Sequence, residues 1–489
     1  MKKKTVEGQW WRRLDNTAKI FPVIASKAMS QVFRVSVTLK EPIKPEVLQQ
    51  ALEDILPHIR NFRVRLRRGI FWYYFEENKR VPQVQRESTY PCRYIDPHGN
   101  RKFLFRVTYY ERRINLEVFH ALTDGLGAVN MLKDLTSRYL QLIRGEDGIW
   151  REEDDKSPES QVFTVEDSYL ENYRDIPRRK YSSRPAYRLE GNYLPLGTGQ
   201  VLHGYVQVEE LKDVCHRHGV SITKYLAAAL IWSIWKEYLK GKPWEQPIVL
   251  NLPINLRAFF ASETMANFFA VTMIGYCFRD PSTSFESLLA KVSSQMDKKT
   301  DRKRLEECIS YNVSREKKWY LRLIPLVLKR IAVNIVFWLK DKAYTMTLSN
   351  VGVIQVDPED QKDIERFHIM IGVSRRQPVK CTICSFGQEM VITFTSVFSD
   401  GHLQRRFFDK LREDGIHVRL EGNEPSSARK RDMYPHIRKV LILQKGGEAK
   451  ASRMVKQVEK TGGQVALGLK GYLNGSKDWK EELRRRFHV

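Results

Sequence analysis

The residues best placed to do chemistry are His120-Ala-Leu-Thr-Asp124-Gly125. An imidazole has its ordinary pKa near neutral pH, so one held in a site can take a proton from a hydroxyl or an amine. The residues ahead of it, Ile114-Asn-Leu-Glu-Val-Phe-His120, alternate as a strand does. After Gly127 the apolar positions Val129, Leu132, Leu135, Tyr139 and Leu142 follow the helical period. The spacing therefore predicts a strand ending at His120, a turn made possible by the Asp124-Gly125 pair, and a helix. On parity alone His120 sits with Ile114, Leu116 and Val118, so a core histidine is the competing reading. Asp124 reads best as a structural residue of the turn.

The elements around this motif follow from the same patterns. Gln31 to Leu39 reads as a strand and Pro45 to Leu56 as a helix. Further strands are expected near Phe71–Phe75 and Lys102–Tyr110. An acidic stretch from Arg144 to Asp167 runs into Ile176-Pro-Arg-Arg-Lys-Tyr-Ser-Ser-Arg-Pro, the best linker candidate. A second unit opens with a strand over Gln200–Val208, a helix over Val208–His218 and a long apolar helix that Ser221 could cap. Strands are expected again at Pro247–Pro253, Ala270–Phe278, Thr345–Leu348, His368–Val373, Val379–Phe386 and Met390–Phe398. Phe398-Ser-Asp400-Gly401, followed by Phe408 and Leu411, echoes the offsets from Asp124 to Leu132 and Leu135. Ser396 then stands where His120 stands, so two related halves would carry one histidine site between them.

A chain of 489 residues with 42% apolar residues is globular and long enough for two or three domains. Met1-Lys-Lys-Lys-Thr-Val-Glu-Gly has no apolar segment behind its basic residues, so no signal peptide is read. The nearest approach to a spanning segment, Leu321 to Leu339, is interrupted by Pro325, Lys329 and Arg330. The apolar, basic stretch Trp319–Lys340 reads as a core or channel-lip helix broken at Pro325, in preference to a helix lying in a membrane interface. Six scattered cysteines suit a reducing cytoplasm. Cys381 and Cys384 sit in a strand where i and i+3 point to opposite faces, and Cys215-His-Arg-His218 does not converge on a helix, so no metal is expected. His402 is expected at the surface. The net charge of +25 fits a binder of nucleic acid, of anionic lipid, or of a phosphorylated or acidic partner. No helix-turn-helix, zinc-finger or RNP signature accompanies it, which argues against nucleic acid.

His120-x-x-x-Asp124-Gly125 resembles the H-x-x-x-D-G motif of the chloramphenicol acetyltransferase-like superfamily. That superfamily includes condensation domains, wax ester synthases, plant BAHD acyltransferases and alcohol acetyltransferases. Four more segments carry the resemblance, which is nearest to bacterial alcohol acetyltransferase-like proteins. They are Arg13-Leu-Asp-Asn-Thr-Ala-Lys-Ile-Phe-Pro22, Leu252-Pro-Ile-Asn-Leu-Arg257 with Asn267-Phe-Phe, Ser349-Asn350-Val351-Gly352, and Ser399-Asp-Gly-His. The resemblance spans roughly residues 8–420, and the tail after Leu420 lacks the paired-cysteine motif of an appended zinc module.

The resemblance implies an α/β fold of two similar subdomains, mixed sheets flanked by helices, that meet along a central channel. Residues 1–175 would be the N-terminal subdomain, 176–198 a linker, 199–420 the C-terminal subdomain and 421–489 a basic extension of open role. His120 would act as general base while an alcohol or amine acceptor attacks a thioester, either acyl-CoA or an acylated carrier protein. A thioester is already activated, so no permanent cofactor or metal is implied. Asp124, with Gly125, would support the turn and pair with an arginine, for which Arg257 is the candidate. Ser349 and Asn350 would line the channel or approach the oxyanion, although as residue types they more often form a turn. An acidic carrier protein and peripheral membrane contact are the partners such a chain could have. The alternative is a non-catalytic scaffold or carrier-binding protein of a biosynthetic pathway, against which the intact His120 argues. A third class, a basic binder of nucleic acid or anionic membrane, would show steep salt dependence and no turnover.

Overall fold

The computed structural model describes residues 10–423, apart from 147, 149–166, 177–183, 196 and 319–322. The basic extension from residue 424 onward and most of the acidic stretch and linker lie outside these residues.

Three sheets organise the described chain. The first has the order β12 (Ile364–Ile371), β2 (Val32–Leu39), β7 (Arg113–Phe119), β6 (Phe105–Tyr110) and β5 (Gln85–Arg86). The second has the order β10 (Phe269–Tyr276), β9 (Ile248–Asn255), β11 (Met346–Val353), β13 (Val379–Phe386), β14 (Glu389–Ser396), β8 (Gln200–Gln207) and β15 (Val418–Gly422). A small sheet joins β1 (Trp11–Arg13), β4 (Tyr73–Glu77) and β3 (Val64–Arg68). Only β11, which is parallel to both of its neighbours, and the β5–β6 pair depart from antiparallel pairing.

Residue type sets the faces of each sheet. In β2, Phe33, Val35, Val37 and Leu39 share one face and join the core built with helices Pro45–Ile55 and Gly125–Ile143. Arg34 and Ser36 point the other way and are also buried, so they need partners. Arg34 binds Glu117 at 2.8 Å and Ser36 Oγ donates to Asn115 Oδ1 at 2.8 Å across the β2–β7 pair. In the second sheet, helix Ile222–Tyr238 is apolar on every side and accordingly buried among helices and strands. Cys381 and Cys384 face the two different cores, as strand parity requires.

Each half thus builds its own sheet, with one exchange, while the first core also takes second-half side chains such as Tyr205, Cys384 and Val391. Strand β12 belongs to the C-terminal half of the sequence but pairs with β2 along its length, from Ile364 opposite Leu39 to Ile371 opposite Phe33. The first sheet is therefore completed by the second half of the chain. The β7–turn–helix unit recurs as β14 followed by helix His402–Glu413, with Ser396 buried at the strand end.

One sequence expectation is overturned. Of the core or channel-lip helix expected after Pro325, the core placement fails: in Leu326–Asp341 only Leu326, Lys329 and Asp341 are buried. No helix among the described residues is long and apolar enough to cross a membrane.

Candidate active site

His120 follows the last residue of β7, and its backbone N–H donates to Gln31 O at 2.9 Å beside the start of β2. The ring is half-buried among three phenylalanines. Phe21 stacks on it with centroids 4.5 Å apart and planes 15° apart, while Phe33 and Phe269 lie at 5.0 and 5.5 Å. Burial disfavours the imidazolium and lowers the pKa below the ordinary value. The backbone carbonyl of His120 itself, Asp124 and Asn267 oppose that shift, and Lys380 adds to it. The side chain is therefore neutral at neutral pH, as a base must be.

The tautomer follows from the neighbours. Asn267 Oδ1 lies 3.1 Å from His120 Nδ1. The same amide's Nδ2 donates to Asp15 Oδ2 at 3.2 Å, and the Asn267 backbone N–H donates to that oxygen as well, at 3.3 Å. Asp15 is itself buried and receives Ala18 N–H at 2.7 Å. Burial pushes the Asp15 carboxyl up, while the N–H groups of Ala18 and Asn267 and the Arg12 guanidinium push it down; as a carboxylate it only accepts, which turns the Asn267 amide nitrogen toward it and the amide oxygen toward the imidazole. His120 Nδ1 consequently carries the proton, and Nε2 keeps a free lone pair.

Asp124 caps the helix Gly125–Ile143 through Gly127 N–H, at 3.1 Å. Its other oxygen takes Arg257 Nη1 at 2.7 Å and Phe268 N–H at 2.9 Å. Arg257 also donates from Nη2 to Ala266 O at 2.6 Å and from Nε to Thr264 O at 3.1 Å. Thr123 Oγ1 donates to Met265 O, and Asn61 Nδ2 donates to Leu122 O at 2.9 Å and Met265 O at 3.3 Å. The motif turn and the segment 264–268 are thereby bolted together. Asp124 does not touch the imidazole; it fixes the residue next to Asn267, which does.

The structure brings His120, Asp124 and Arg257 together with Gly125, and corrects two expectations. The turn does not depend on Gly125, where an added Cβ would meet only Val351 Cγ2, at 3.6 Å. Gly127 is the tight position: a Cβ there would collide with Thr123 Oγ1 and lie 2.7 Å from Met265 O. Ser349 and Asn350 are not in a turn but inside β11. Asn350 is committed within its own lobe, its Nδ2 donating to Thr223 Oγ1 at 2.9 Å and its Oδ1 accepting Gly352 N–H at 2.9 Å. Those bonds form at a bulge where Gly352 takes a φ of +90°, which explains the glycine. His402 is exposed, as expected. Sequence reasoning did not single out Asp15, Phe21 or Asn267 for a role, although all three lie in the quoted segments.

No family model and no curated protein matches the sequence. Solved structures match the fold closely. Polyketide synthase associated protein 5 from Mycobacterium tuberculosis aligns with a TM-score of 0.55 at 15% identity, over 82% of this chain and 96% of that one. The first condensation domain of the calcium-dependent antibiotic synthetase aligns at 0.55 and 14%, over 85% and 100%. TRI101 of Fusarium sporotrichioides, solved with coenzyme A and T-2, aligns at 0.58 and 9%, over 84% and 99%. The chain shares the fold of these structures.

Proposed function

We propose that this chain is an acyltransferase that moves an acyl group from a thioester to an alcohol or amine, with His120 as general base. The observation that carries the reading is the oriented Asn267 amide. It holds the proton on Nδ1 and leaves Nε2 able to take one from the acceptor as it attacks the thioester carbonyl. The proton then leaves on the thiol. Burial that keeps the ring neutral, and a fold shared with acetyltransferases and condensation domains, support the same chemistry. Acyl-CoA is the proposed donor, since a structure of this fold holds coenzyme A, and an acylated carrier protein is the second candidate. Ser349 is proposed to line the acyl path, because β11 packs beside the motif turn through Val351. Asn350 is not, its amide being used at the bulge.

The test is thiol release from a panel of acyl-CoAs, with and without alcohols and amines, comparing the wild type with His120→Ala. Acceptor-dependent release should fall by at least about a hundredfold, the usual contribution of general-base catalysis. Equal release by a folded variant would refute the assignment. Turnover with acylated carrier protein alone would move the donor from CoA to the carrier.

A further inference from the structure

Helix Leu326–Asp341 touches the body of the protein along one narrow stripe. Leu326 and Lys329 are buried on it, and Val333 and Phe337 are half-buried one and two turns on. The remaining face is apolar and uncovered by any described residue. Val327, Leu328, Ile331, Ile335 and Leu339 each keep 55–57% of their surface exposed, with Trp338 beside them at 44%. The patch continues onto the tip of the β3–β4 hairpin, where Ile70 is 77% exposed and its carbonyl accepts Leu326 N–H at 2.9 Å. An ordinary soluble monomer keeps no apolar patch larger than roughly 300–600 Å². A whole helix face with an adjoining hairpin tip calls for an occupant.

Charge selects which one. No acidic residue occurs from residue 319 to residue 340. At 100° per residue, Lys340 borders the apolar face on one side and Arg330 on the other, and both are exposed. Lys342, also exposed, stands over the Trp338 ring at 3.6 Å. Apolar side chains framed by aromatic rings and cations are the make-up of a helix that lies in a lipid interface. A second copy of this chain would instead bring its own charge of +25 to the contact. At 16 residues the helix is shorter than the ~20 needed to span a bilayer, so it would lie flat.

We infer that this face docks the protein on the surface of an anionic lipid bilayer. The face is close to the histidine. Asn334 Nδ2 donates to Val23 O at 3.4 Å, in the short helix Phe21–Ile24 whose Phe21 stacks on His120. Docking sets the bilayer one short helix away from the imidazole.

The test is flotation of the full chain with vesicles of phosphatidylcholine, with and without phosphatidylglycerol, beside the double variant Leu328→Glu/Ile335→Glu. Neither position is packed, so circular dichroism and the thermal melt should match the wild type. The wild type should float with the mixed vesicles, less as salt rises, and at least about tenfold less in the variant, a loss of about 1.4 kcal/mol. Three results would overturn the inference. They are no flotation with anionic vesicles, flotation unchanged in the variant, or a dimer that the variant abolishes with no vesicle binding. The readout needs no turnover, so it stands or falls separately from the acyltransferase proposal.

Discussion

The Asn267 carboxamide stands between Asp15 and His120, its oxygen 3.1 Å from the imidazole Nδ1 and its nitrogen 3.2 Å from the carboxylate. Asp15 belongs to the N-terminal segment and Asn267 to the loop before β10, so the tautomer of His120 depends on two parts of the chain meeting correctly. Asp124 and Arg257 secure that meeting by holding the backbone on either side of Asn267.

Asp15→Asn tests this arrangement directly. The new amide can donate toward Asn267 and favours its flip, which would present Nδ2 to His120 Nδ1 and move the ring proton to Nε2. With Nε2 protonated, kcat should fall at least about tenfold, or about 1.4 kcal/mol, with KM little changed. A merely structural role would leave the pH profile unmoved. Here the acid limb of kcat/KM should shift, because the hydrogen bond that favours the imidazolium is altered. An unchanged profile together with unchanged kcat would remove Asp15 from the account.

In the wild type that acid limb should lie below the ordinary histidine value of about 6.5. The base must be neutral to work, and burial lowers its pKa, so activity should hold level through neutral pH and decline only in more acidic buffer. Initial rates across the range with a fixed acyl-CoA measure it. A limb above the ordinary value would mean that the titrating group is not this buried ring.

Arg257→Ala should destabilise the fold by about 3–5 kcal/mol, since it leaves the Asp124 carboxylate buried without its cation. Arg257→Lys should do nearly as badly. An ammonium cannot reproduce the fork that binds Asp124, Ala266 O and Thr264 O together. Denaturant unfolding of the three proteins decides it, and a stable lysine variant would show that charge alone suffices.

The two glycines of the motif should respond oppositely to alanine. Gly125→Ala places a Cβ in ordinary contact with Val351 in the first helical turn, where alanine gains up to about 1 kcal/mol in helix propensity. Gly127→Ala forces a Cβ against Thr123 and the Met265 carbonyl and should cost about 1–3 kcal/mol through overpacking. Thermal melts of both variants suffice. Equal melting temperatures would contradict the geometry.

The strand, turn and helix around His120 were legible because alternation changes to a 3.6-residue period across Asp124, and both patterns are local. The Arg257 partner came from a resemblance, not from spacing. Asp15 and Asn267 left no periodic trace: a hydrogen bond between distant polar side chains has no signature in one dimension. Ser349 and Asn350 looked like a turn because a strand bulge uses the same residue types. Leu326–Asp341 reads as a core or channel-lip helix because the apolar stripe of a buried helix and that of an exposed one are composed alike. Only packing separates them. The placement of β12 beside β2 could not be read from sequence, since nothing in its own pattern names its neighbour.

Acid should loosen the seam between the two sheets before it unfolds either core. His203 on β8 and His368 on β12 face each other with ring centroids 4.5 Å apart, and Tyr205 OH bonds His368 Nε2 at 3.1 Å and Glu421 at 2.7 Å. Burial lowers both pKa values, that of His203 to about 3, and Arg113 and Arg366 push both rings the same way, joined at His368 by Arg419. In the unfolded chain these rings take protons from about pH 6.5 downward, whereas in the folded chain they do not. Unfolding therefore takes up protons below that pH, and stability falls by as much as about 1.4 kcal/mol per pH unit for each ring. The loss should begin below pH ~6.5 and continue until the folded pKa is reached. His368→Phe removes one ring and should roughly halve the slope that the two rings contribute together, in urea melts taken at successive pH values. A slope unchanged by the substitution would place the acid sensitivity elsewhere.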